Sequence, residues 1–462
     1  MVTPVHDAAA PTDEPPLRFH GGWFGTLIPF VIFLAGVSWL GLSGAPDETG
    51  FWPVLLVALG SGLLLAKDRG RYSEAILDGM SNRLVMLLVL AWLLAGVLGV
   101  LLRESGLVQS LIGAASVAGV EGGGFVVATF VVCAVFSTAT GTSLGTILVC
   151  APLLYPAAHG LSGDPAFTIG AILAGATFGD NISPISDTTI ASATTQGADL
   201  GGVVRSRMRY ALPAAAAAIV VFTLRGAAET NEAVAGGAGV PDAVGLIMLA
   251  VPALVLTLLL RRRHLVEGLF AGIGAAVVLG LVLGRFALAD LLAIDQENFI
   301  ATGILLDGMR RAVGVSVFTL LLMGLVGGLQ ASGLLDNAIG WVRARAGDER
   351  RAEWWIFGSI SGATLLTTHS AVAILTVGSL AKSVGENAGV GAYRRANILD
   401  VTVCTYPFLL PFFIPTILAA AMTGGVADMP RVSPWDAGLH NVHSWALLAV
   451  LLVSIATGRG RA

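Results

Sequence analysis

Two carboxylates and five neutral polar residues interrupt an apolar part of this 462-residue chain, on either side of Pro184. They are Asp180, Asn181, Ser183, Ser186, Asp187, Thr188 and Thr189. The run before them, residues 167–176, has the composition of a membrane helix. Carboxylates are costly at bilayer depth and proline breaks a helix, so this group indicates an ion or proton site that lines a cavity.

Oxygen is the donor atom that these residues offer, and hard cations such as Na⁺ bind oxygen. The same serines and threonines could instead form hydrogen bonds between helices, which is a common use in bundles. We interpret the cluster as a cation and proton site, in which Asp180 and Asp187 would bind Na⁺. The predicted members of the site are Asp180, Asn181, Ser183, Ser186, Asp187, Thr188 and Asp400. Asp400 lies in the second half of the chain, and its alternative role is structural, with neighbouring backbone amides satisfying the carboxylate.

Small polar residues also interrupt two long apolar segments, 124–158 and 354–381. The interruptions contain Thr140, Thr142 and Ser143 in the first segment, and Thr367, Thr368, His369 and Ser370 in the second. These residues form the predicted substrate or second-half site. His369 is the one histidine of seven that we predict at bilayer depth. Its imidazole could relay protons or bind a substrate carboxylate, or it could be a neutral core histidine.

Composition indicates a polytopic membrane protein. The chain is 55% hydrophobic and 12% charged, whereas soluble domains carry about a quarter charged residues. Three isolated cysteines offer no disulfide framework or metal-ligand spacing. The net charge of −4, with no basic cluster among aromatics, gives no sign of nucleic-acid binding. No nucleophile–base motif or HExxH sequence occurs, so we predict neither an enzyme nor a bound cofactor.

Ten segments have the apolar character of membrane spans, which need about 20 residues each. They lie near 23–43, 51–66, 84–102, 166–197, 210–225, 241–260, 265–289, 312–331, 392–424 and 441–458. The segments 124–158 and 354–381 are too long for one span, and each is either a long broken helix or a re-entrant hairpin. The fold class is therefore an all-α integral membrane protein.

Internal similarity indicates a duplicated core. Residues 76–80 resemble residues 305–309, and residues 104–112 resemble residues 331–339 at an offset of 227 positions. At the same offset of 227, residues 140–143 align with residues 367–370. Three matches in order predict two transporter repeats, each with a hairpin and a helix broken at the membrane midplane. The two broken helices are predicted at 166–197 and 392–424.

The distribution of lysines and arginines decides whether the long apolar segments are re-entrant hairpins or full membrane spans. With two re-entrant hairpins each half has five spans. Because five is an odd number, the second half starts on the opposite side of the membrane, so the two halves must be inverted relative to each other. This topology places 20 of the 26 lysines and arginines in cytoplasmic segments, among them Arg205, Arg207 and Arg209. The positive-inside rule favours it, with both termini in the cytoplasm. A full first span would put those three arginines outside.

The predicted domains follow from this topology. Residues 1–21 are polar, proline-rich and without the features of a signal peptide, so we expect a disordered cytoplasmic N-terminus. The first repeat would cover 22–229, the second 241–462, and residues 230–240 would link them.

The segment Gly175-Ala-Thr-Phe-Gly-Asp-Asn-Ile-Ser-Pro-Ile-Ser-Asp-Thr-Thr189 resembles the signature of the NhaC family of Na⁺/H⁺ antiporters. That signature is GxxxGDxxSPxSDTT-like, and the match is nearly complete. The resemblance covers 20–460 and implies the fold of the ion-transporter superfamily of elevator-type carriers. It also implies that the signature residues bind the cation. The corresponding role of Thr367, His369, Ser370 and Asp400 in the second half rests on looser motif matches.

The resemblance implies a secondary antiporter that exchanges Na⁺ for H⁺ across the cytoplasmic membrane. Asp180 or Asp187 would be ionised with Na⁺ and protonated for the return. A homodimer in the lipid bilayer is implied by analogy. The alternative is a Na⁺- or H⁺-coupled carrier of a small organic acid or amino acid, with the same ion site and with substrate at the hairpin tips. An intramembrane enzyme is the third and least favoured class.

Overall fold

Helices dominate the computed structural model, which describes residues 15–43, 48–227, 242–261, 263–296, 299–334, 348–424 and 429–461. In the first half the helices are α1 Trp23–Leu42, α2 Phe51–Leu65, α3 Arg69–Met80, α4 Arg83–Glu104, α5 Leu107–Val117, α6 Gly122–Thr140, α7 Ser143–Gly160, α8 Pro165–Ile182, α9 Asp187–Gln196 and α10 Leu200–Arg225. In the second half they are α11 Ala243–Ile247, α12 Ala250–Leu260, α13 Leu265–Val282, α14 Leu288–Leu291, α15 Ile304–Gln330, α16 Glu349–Thr367, α17 Ser370–Asn387, α18 Ala392–Val403, α19 Ile414–Met422, α20 Pro434–Leu439 and α21 Val442–Thr457. Single 3₁₀ turns occupy Glu48–Gly50 and Tyr406–Phe408.

One feature departs from an all-α fold. Strands β1 Ala293–Asp295 and β2 Ile300–Thr302 form a small antiparallel hairpin, with Ile294 opposite Ala301. Hydropathy alone does not predict it, because the two strands are short and lie between apolar helices.

Seven helices of the described residues are long and apolar enough to cross a membrane, by length and composition. They are α1, α4, α6, α7, α10, α13 and α15. Shorter apolar helices include α2, α5 and α21. The chain is thus a mostly helical, multi-pass membrane protein.

Two helices begin well before their apolar runs. Helix α10 starts at Leu200, ten residues earlier than expected, because Asp199 caps it by accepting a hydrogen bond from the Gly202 amide at 2.7 Å. Helix α15 similarly starts at Ile304 rather than near 312. Hydropathy locates the apolar part of a helix and misses its polar first turns.

The N-terminal segment is ordered where the structure describes it. Leu17 donates a backbone hydrogen bond to the Ala331 carbonyl at 2.8 Å, and Phe19 packs edge-on against Tyr72 with ring centroids 5.8 Å apart. The expected disorder of 1–21 therefore does not extend to residues 15–21, since apolar side chains bury this stretch. Residues 1–14 and the predicted linker 230–240 lie outside the described residues.

Two groups of helices pack together. In the first, α15 lies against α3 and α4, α13 lies against α4 and α12, and α1 lies against α2. In the second, α6 packs on α8, α10 on α21, and α17 and α18 on α9. Helices α4 and α15 contact the second group through α7 and α19. The polar residues of the sequence motifs lie in the second group.

Each of the two long apolar segments folds as a pair of helices joined by a two-residue turn. Helices α6 and α7 form hairpin 1, in which the Gly122 amide donates to the Leu161 carbonyl at 2.7 Å, so both ends of the hairpin meet. Helices α16 and α17 form hairpin 2, and its start lies beside α18 through a 2.8 Å ion pair of Glu353 with Arg394. Tip 1 is residues 141–142 and tip 2 is residues 368–369.

Candidate ion-binding site

The predicted interruption of the signature helix is present. Helix α8 ends at Ile182 and α9 begins at Asp187, with an extended Ser183 and an exposed Pro184 between them. Proline supplies no amide hydrogen, so other groups bind the last carbonyls of α8. The Asp180 carbonyl accepts the Ser183 amide at 3.4 Å, and the Asn181 carbonyl accepts from Arg207 of α10 at 2.6 Å. The break therefore presents both carboxylates in one place.

Glycines in the signature bring hairpin 1 to the break. A Cβ at Gly175 would lie 2.4 Å from the Phe130 carbonyl oxygen, and one at Gly179 would lie 2.4 Å from Cβ of Ser137. Helices α6 and α8 approach this closely because glycine has no side chain. The Ser137 hydroxyl donates across the contact to the Ala176 carbonyl at 2.6 Å. The spacing of the two glycines thus positions tip 1 beside Asp180.

Asp180 is buried and receives hydrogen bonds from hydroxyl groups of two elements. Ser143, the first residue after tip 1, donates to Oδ2 at 2.8 Å, and Ser186 from the break donates to Oδ1 at 2.6 Å. The Ser186 hydroxyl also lies 3.0 Å from that of Thr188. Within the part of the chain that the structure describes, Asp180 has no ion pair with lysine or arginine.

Asn181 is fully buried, and its side chain has no hydrogen-bond partner among the described residues. A buried amide without a partner is costly, by about 1–3 kcal/mol. Its position next to Asp180 places an unsatisfied oxygen and nitrogen at the break. An ion or a water molecule would satisfy that oxygen.

Asp187 differs from Asp180 in exposure. It is the first residue of α9 and is exposed, and its Oδ1 accepts the Thr188 amide at 2.8 Å. The half-buried imidazole of His369 at tip 2 lies within electrostatic range of this carboxylate. Break and second hairpin therefore meet at Asp187.

The other hydroxyls of the signature hold the break in shape. Ser183 donates to the Thr138 carbonyl of hairpin 1 at 2.8 Å. Thr189, on the first turn of α9, accepts from Arg207 at 2.8 Å. Neither contacts the Asp180 carboxylate directly, so the direct hydrogen bonds to Asp180 come from Ser143 and Ser186.

Most tip residues are engaged with backbone rather than with a carboxylate. Thr140 and Thr367 donate to carbonyls one turn back, at 2.9 and 2.8 Å. Thr142 and His369 cap α7 and α17 by accepting amide hydrogens. The Ser370 hydroxyl donates to the Val403 carbonyl at 3.2 Å. The hydroxyl of Thr368 donates to the Thr367 carbonyl at 2.8 Å.

Asp400 has a different environment from Asp180. It is fully buried and forms an ion pair with Arg207, whose Nη1 lies 2.5 Å from Oδ2. Ser192 donates to the same oxygen at 3.2 Å, and the Cys404 thiol lies 3.3 Å from Oδ1. The predicted cation ligand of the second half is thus already paired with a cation of the protein.

Arg207 is the residue that sequence reasoning misplaced. It was counted as a cytoplasmic charge, yet its side chain is fully buried in α10. The count also included Arg394 and Arg395, which are both 4% exposed. Arg205 is exposed, and helical periodicity turns Arg207 to the opposite face. Recognising the Asp199 cap would have placed Arg207 inside the helix.

Two further buried ionisable groups were missed. Glu353 is fully buried in α16 and pairs with Arg394 at 2.8 Å and Arg461 at 3.0 Å, so it is a further buried carboxylate beside Asp180 and Asp400. His443 is fully buried in α21 between Phe130 and Phe178, whereas His369 is half-buried. Both lie at ends of apolar runs, where hydropathy defines depth poorly.

The described residues contain no group of three or more His, Cys, Asp and Glu that could hold a metal ion. The oxygen atoms at the break include the Asp180 carboxylate, the hydroxyls of Ser143, Ser186 and Thr188, and the side-chain amide of Asn181. This donor set suits a weakly held, exchangeable alkali cation better than a resident transition metal.

Known proteins resemble this chain at the sequence level. Residues 26–227 match the Na⁺/H⁺ antiporter family. An Na⁺/H⁺ antiporter NhaC of Alkalihalophilus pseudofirmus is 24% identical over 386 residues, which cover 78% of this chain and 83% of that protein. NhaC of Bacillus subtilis is 25% identical over 338 residues, covering 69% and 73%.

A relative with a different cargo also matches. The malate-2H⁺/Na⁺-lactate antiporter of Bacillus subtilis is 28% identical over 212 residues. That match covers 44% of this chain and 43% of that protein, so it spans less than half of either. With the broken signature helix, the family match over residues 26–227 and the two relatives, the chain is similar to the NhaC Na⁺/H⁺ antiporters.

Proposed function

We propose that this protein exchanges Na⁺ for H⁺ at Asp180. The observation that carries the proposal is the environment of this carboxylate, which is buried at a helix break and bonded only to hydroxyls of Ser143 and Ser186 among the described residues. A buried carboxylate without a basic partner must bind a proton or an external cation to avoid a large desolvation penalty. Either ligand neutralises it, and the two exclude each other.

The neighbouring oxygens would complete the Na⁺ site. The Ser186 hydroxyl donates to Asp180 and lies 3.0 Å from that of Thr188, and the side chain of the neighbouring Asn181 is buried without a partner among the described residues. Hydroxyl oxygens can turn from donating to the carboxylate to coordinating a cation. The negative end of the α8 dipole adds to the attraction.

Asp187 would supply access to the site. Its exposed carboxylate begins the exposed face of α9, which continues through Thr194. Ser379 and Lys382 are exposed on the adjacent α17. We propose that His369, which lies within electrostatic range of Asp187, takes part in proton exchange. We assign Asp187 to guiding cations and protons towards Asp180.

The inverted-repeat architecture is part of the proposal. Shifted by 227, the bounds of α6 and α7 coincide with those of α16 and α17, and the start of α8 coincides with that of α18. The backbone at Gly141 and Thr368, one in each tip, is left-handed, with φ of 69° and 52°. These agreements support two copies of one hairpin and broken-helix unit. We infer boundaries near 22–229 and 241–462 for the repeats.

The position of tip 1 beside the helix break supports a re-entrant hairpin. Helix α10 has 26 residues and returns to the end where hairpin 1 begins, as the bridge of Gly163 with Ala227 indicates. The hairpin arms α6 and α7 have 19 and 18 residues and reach only to the break beside Asp180. We therefore propose that tip 1 lies inside the membrane.

Transport would occur by movement of the second helix group, with its hairpins, against the first. We place the protein in the cytoplasmic membrane as a homodimer with both termini inside. The lysine and arginine distribution supports this orientation after Arg207, Arg394 and Arg395 are removed from the count, since those three are buried rather than in loops.

The second candidate is exchange of an organic acid coupled to Na⁺ or H⁺. The observation that favours it is the similarity to the malate-2H⁺/Na⁺-lactate antiporter. In this case the tips, including Thr142, Thr368 and His369, would contact the substrate carboxylate. The capping bonds of Thr142 and His369 leave fewer groups for that task.

Proteoliposomes with an imposed pH gradient test the proposal. We expect Na⁺ alone to start proton flux in the wild type, and Asp180→Asn to abolish it while the protein still inserts. Asp187→Asn is expected to slow it strongly. Flux that requires an added organic acid would replace Na⁺/H⁺ exchange by the second candidate. Normal flux in Asp180→Asn would remove Asp180 from the mechanism.

A further inference from the structure

The guanidinium of Arg207 lies in a cage of oxygen atoms. It donates to one carboxylate, one backbone carbonyl, one side-chain amide and two hydroxyls. The acceptors are Asp400 Oδ2 at 2.5 Å, Asn181 O at 2.6 Å, Thr189 Oγ1 at 2.8 Å, Asn397 Oδ1 at 3.2 Å and Ser192 Oγ at 3.4 Å. This is the kind of ligand set that binds a hard cation.

The location of the cage also suits a cation. The Asn181 carbonyl belongs to the last turn of α8, where the helix dipole is negative, and Thr189 belongs to the first turn of α9. Asp400 comes from α18 in the other half of the chain. Arg207 and Asp400 are both 0% exposed, so water does not screen this charge pair.

We propose that Arg207 is a tethered cation that permanently fills a second cation position. A guanidinium does not lose its proton and, being attached to α10, cannot leave. Asp400 consequently cannot alternate between a proton and Na⁺. A single exchangeable Na⁺ per chain, at Asp180, follows from this arrangement and rests on the proposed function.

Equilibrium binding of radiolabelled Na⁺ to the purified full-length protein tests the inference. At saturation we expect one Na⁺ per wild-type chain. Arg207→Ala empties the cage and leaves Asp400 without a counter-charge, so two Na⁺ per chain are expected. The matched control is Arg205→Ala, which removes the same charge from an exposed position two residues away and should bind one.

Three outcomes decide the matter. Two Na⁺ ions on the wild type would overturn the inference, whether or not the Arg207→Ala variant folds. One Na⁺ on a monodisperse Arg207→Ala variant would also overturn it. No Na⁺ on the wild type but one on Arg207→Ala would support the filled second position while refuting the Asp180 site of the proposed function.

Arg207→Lys provides a conservative comparison. Its ammonium keeps the positive charge but forms fewer directed hydrogen bonds than the planar guanidinium. We expect this variant to bind one Na⁺ and to retain Na⁺-dependent proton flux. Two bound Na⁺ ions in Arg207→Lys would contradict the idea that charge, rather than shape alone, occupies the position.

Discussion

Asp180 and Asp400 are the same residue type, both buried and both beside a broken helix, yet they have opposite surroundings. Hydroxyl groups of Ser143 and Ser186 contact the first, whereas the guanidinium of Arg207 contacts the second. Under the proposed function, the first carboxylate binds a mobile cation or a proton, whereas the second has a fixed cation in Arg207. The proposed role of each carboxylate thus depends on its partner rather than on its burial.

The two hairpins also differ in the groups that they contact. Ser143, directly after tip 1, donates its hydroxyl to Asp180, while Ser370, directly after tip 2, donates to the Val403 carbonyl. Equivalent serines of the two hairpins thus serve different acceptors. We interpret the first half as the exchanging site and the second half as its electrostatic and mechanical support.

The largest expected effect comes from breaking the Asp400 pair. Asp400→Asn leaves a buried guanidinium without its anion, and we expect a loss of about 3–5 kcal/mol in the free energy of unfolding. Thermal unfolding in detergent measures it. Asp68→Asn, at an exposed cap that asparagine fills equally well, should change little. Unchanged stability of Asp400→Asn would show that Arg207 does not need this partner.

A smaller effect is expected from separating hairpin 1 from α8. In Gly179→Val the new side chain collides with Ser137 and the Ala134 carbonyl, 2.4 and 2.5 Å from the Cβ position. Because Ser143 then moves away from Asp180, we expect Na⁺-dependent flux to fall at least tenfold. The control is Gly124→Val in the same hairpin, where no atom lies within 4 Å. Normal flux in Gly179→Val would contradict the role of the close contact.

The smallest effect is expected from removing one hydroxyl at Asp180. A hydrogen bond to a charged group is worth about 1.5 kcal/mol or more, so Ser143→Ala should raise the KM for Na⁺ about tenfold. Flux at varied Na⁺ concentration measures this change. Thr146→Val removes a buried hydroxyl one turn further along α7, which among the described residues bonds the Thr142 carbonyl at 2.8 Å, and should not alter KM. An unaltered KM in Ser143→Ala would remove tip 1 from the site.

Much of the fold could be predicted from hydropathy, because long apolar helices and prolines leave clear patterns. The spans 23–43, 51–66 and 84–102 agree closely with α1, α2 and α4. The amphipathic helix α3 and the polar start of α10 were missed, since hydropathy does not detect helices with few apolar residues. Capping aspartates at Asp68 and Asp199 were the available signal.

The sequence by itself determined the resemblance to a family, the membrane class and the break between Asp180 and Asp187, because these depend on local composition and on one proline. Only the tertiary structure decided which carboxylate has a basic partner. Arg207 and Asp400 are separated by 193 positions, and Ser143 and Asp180 by 37. Contacts at such separations depend on helix packing, which composition does not encode.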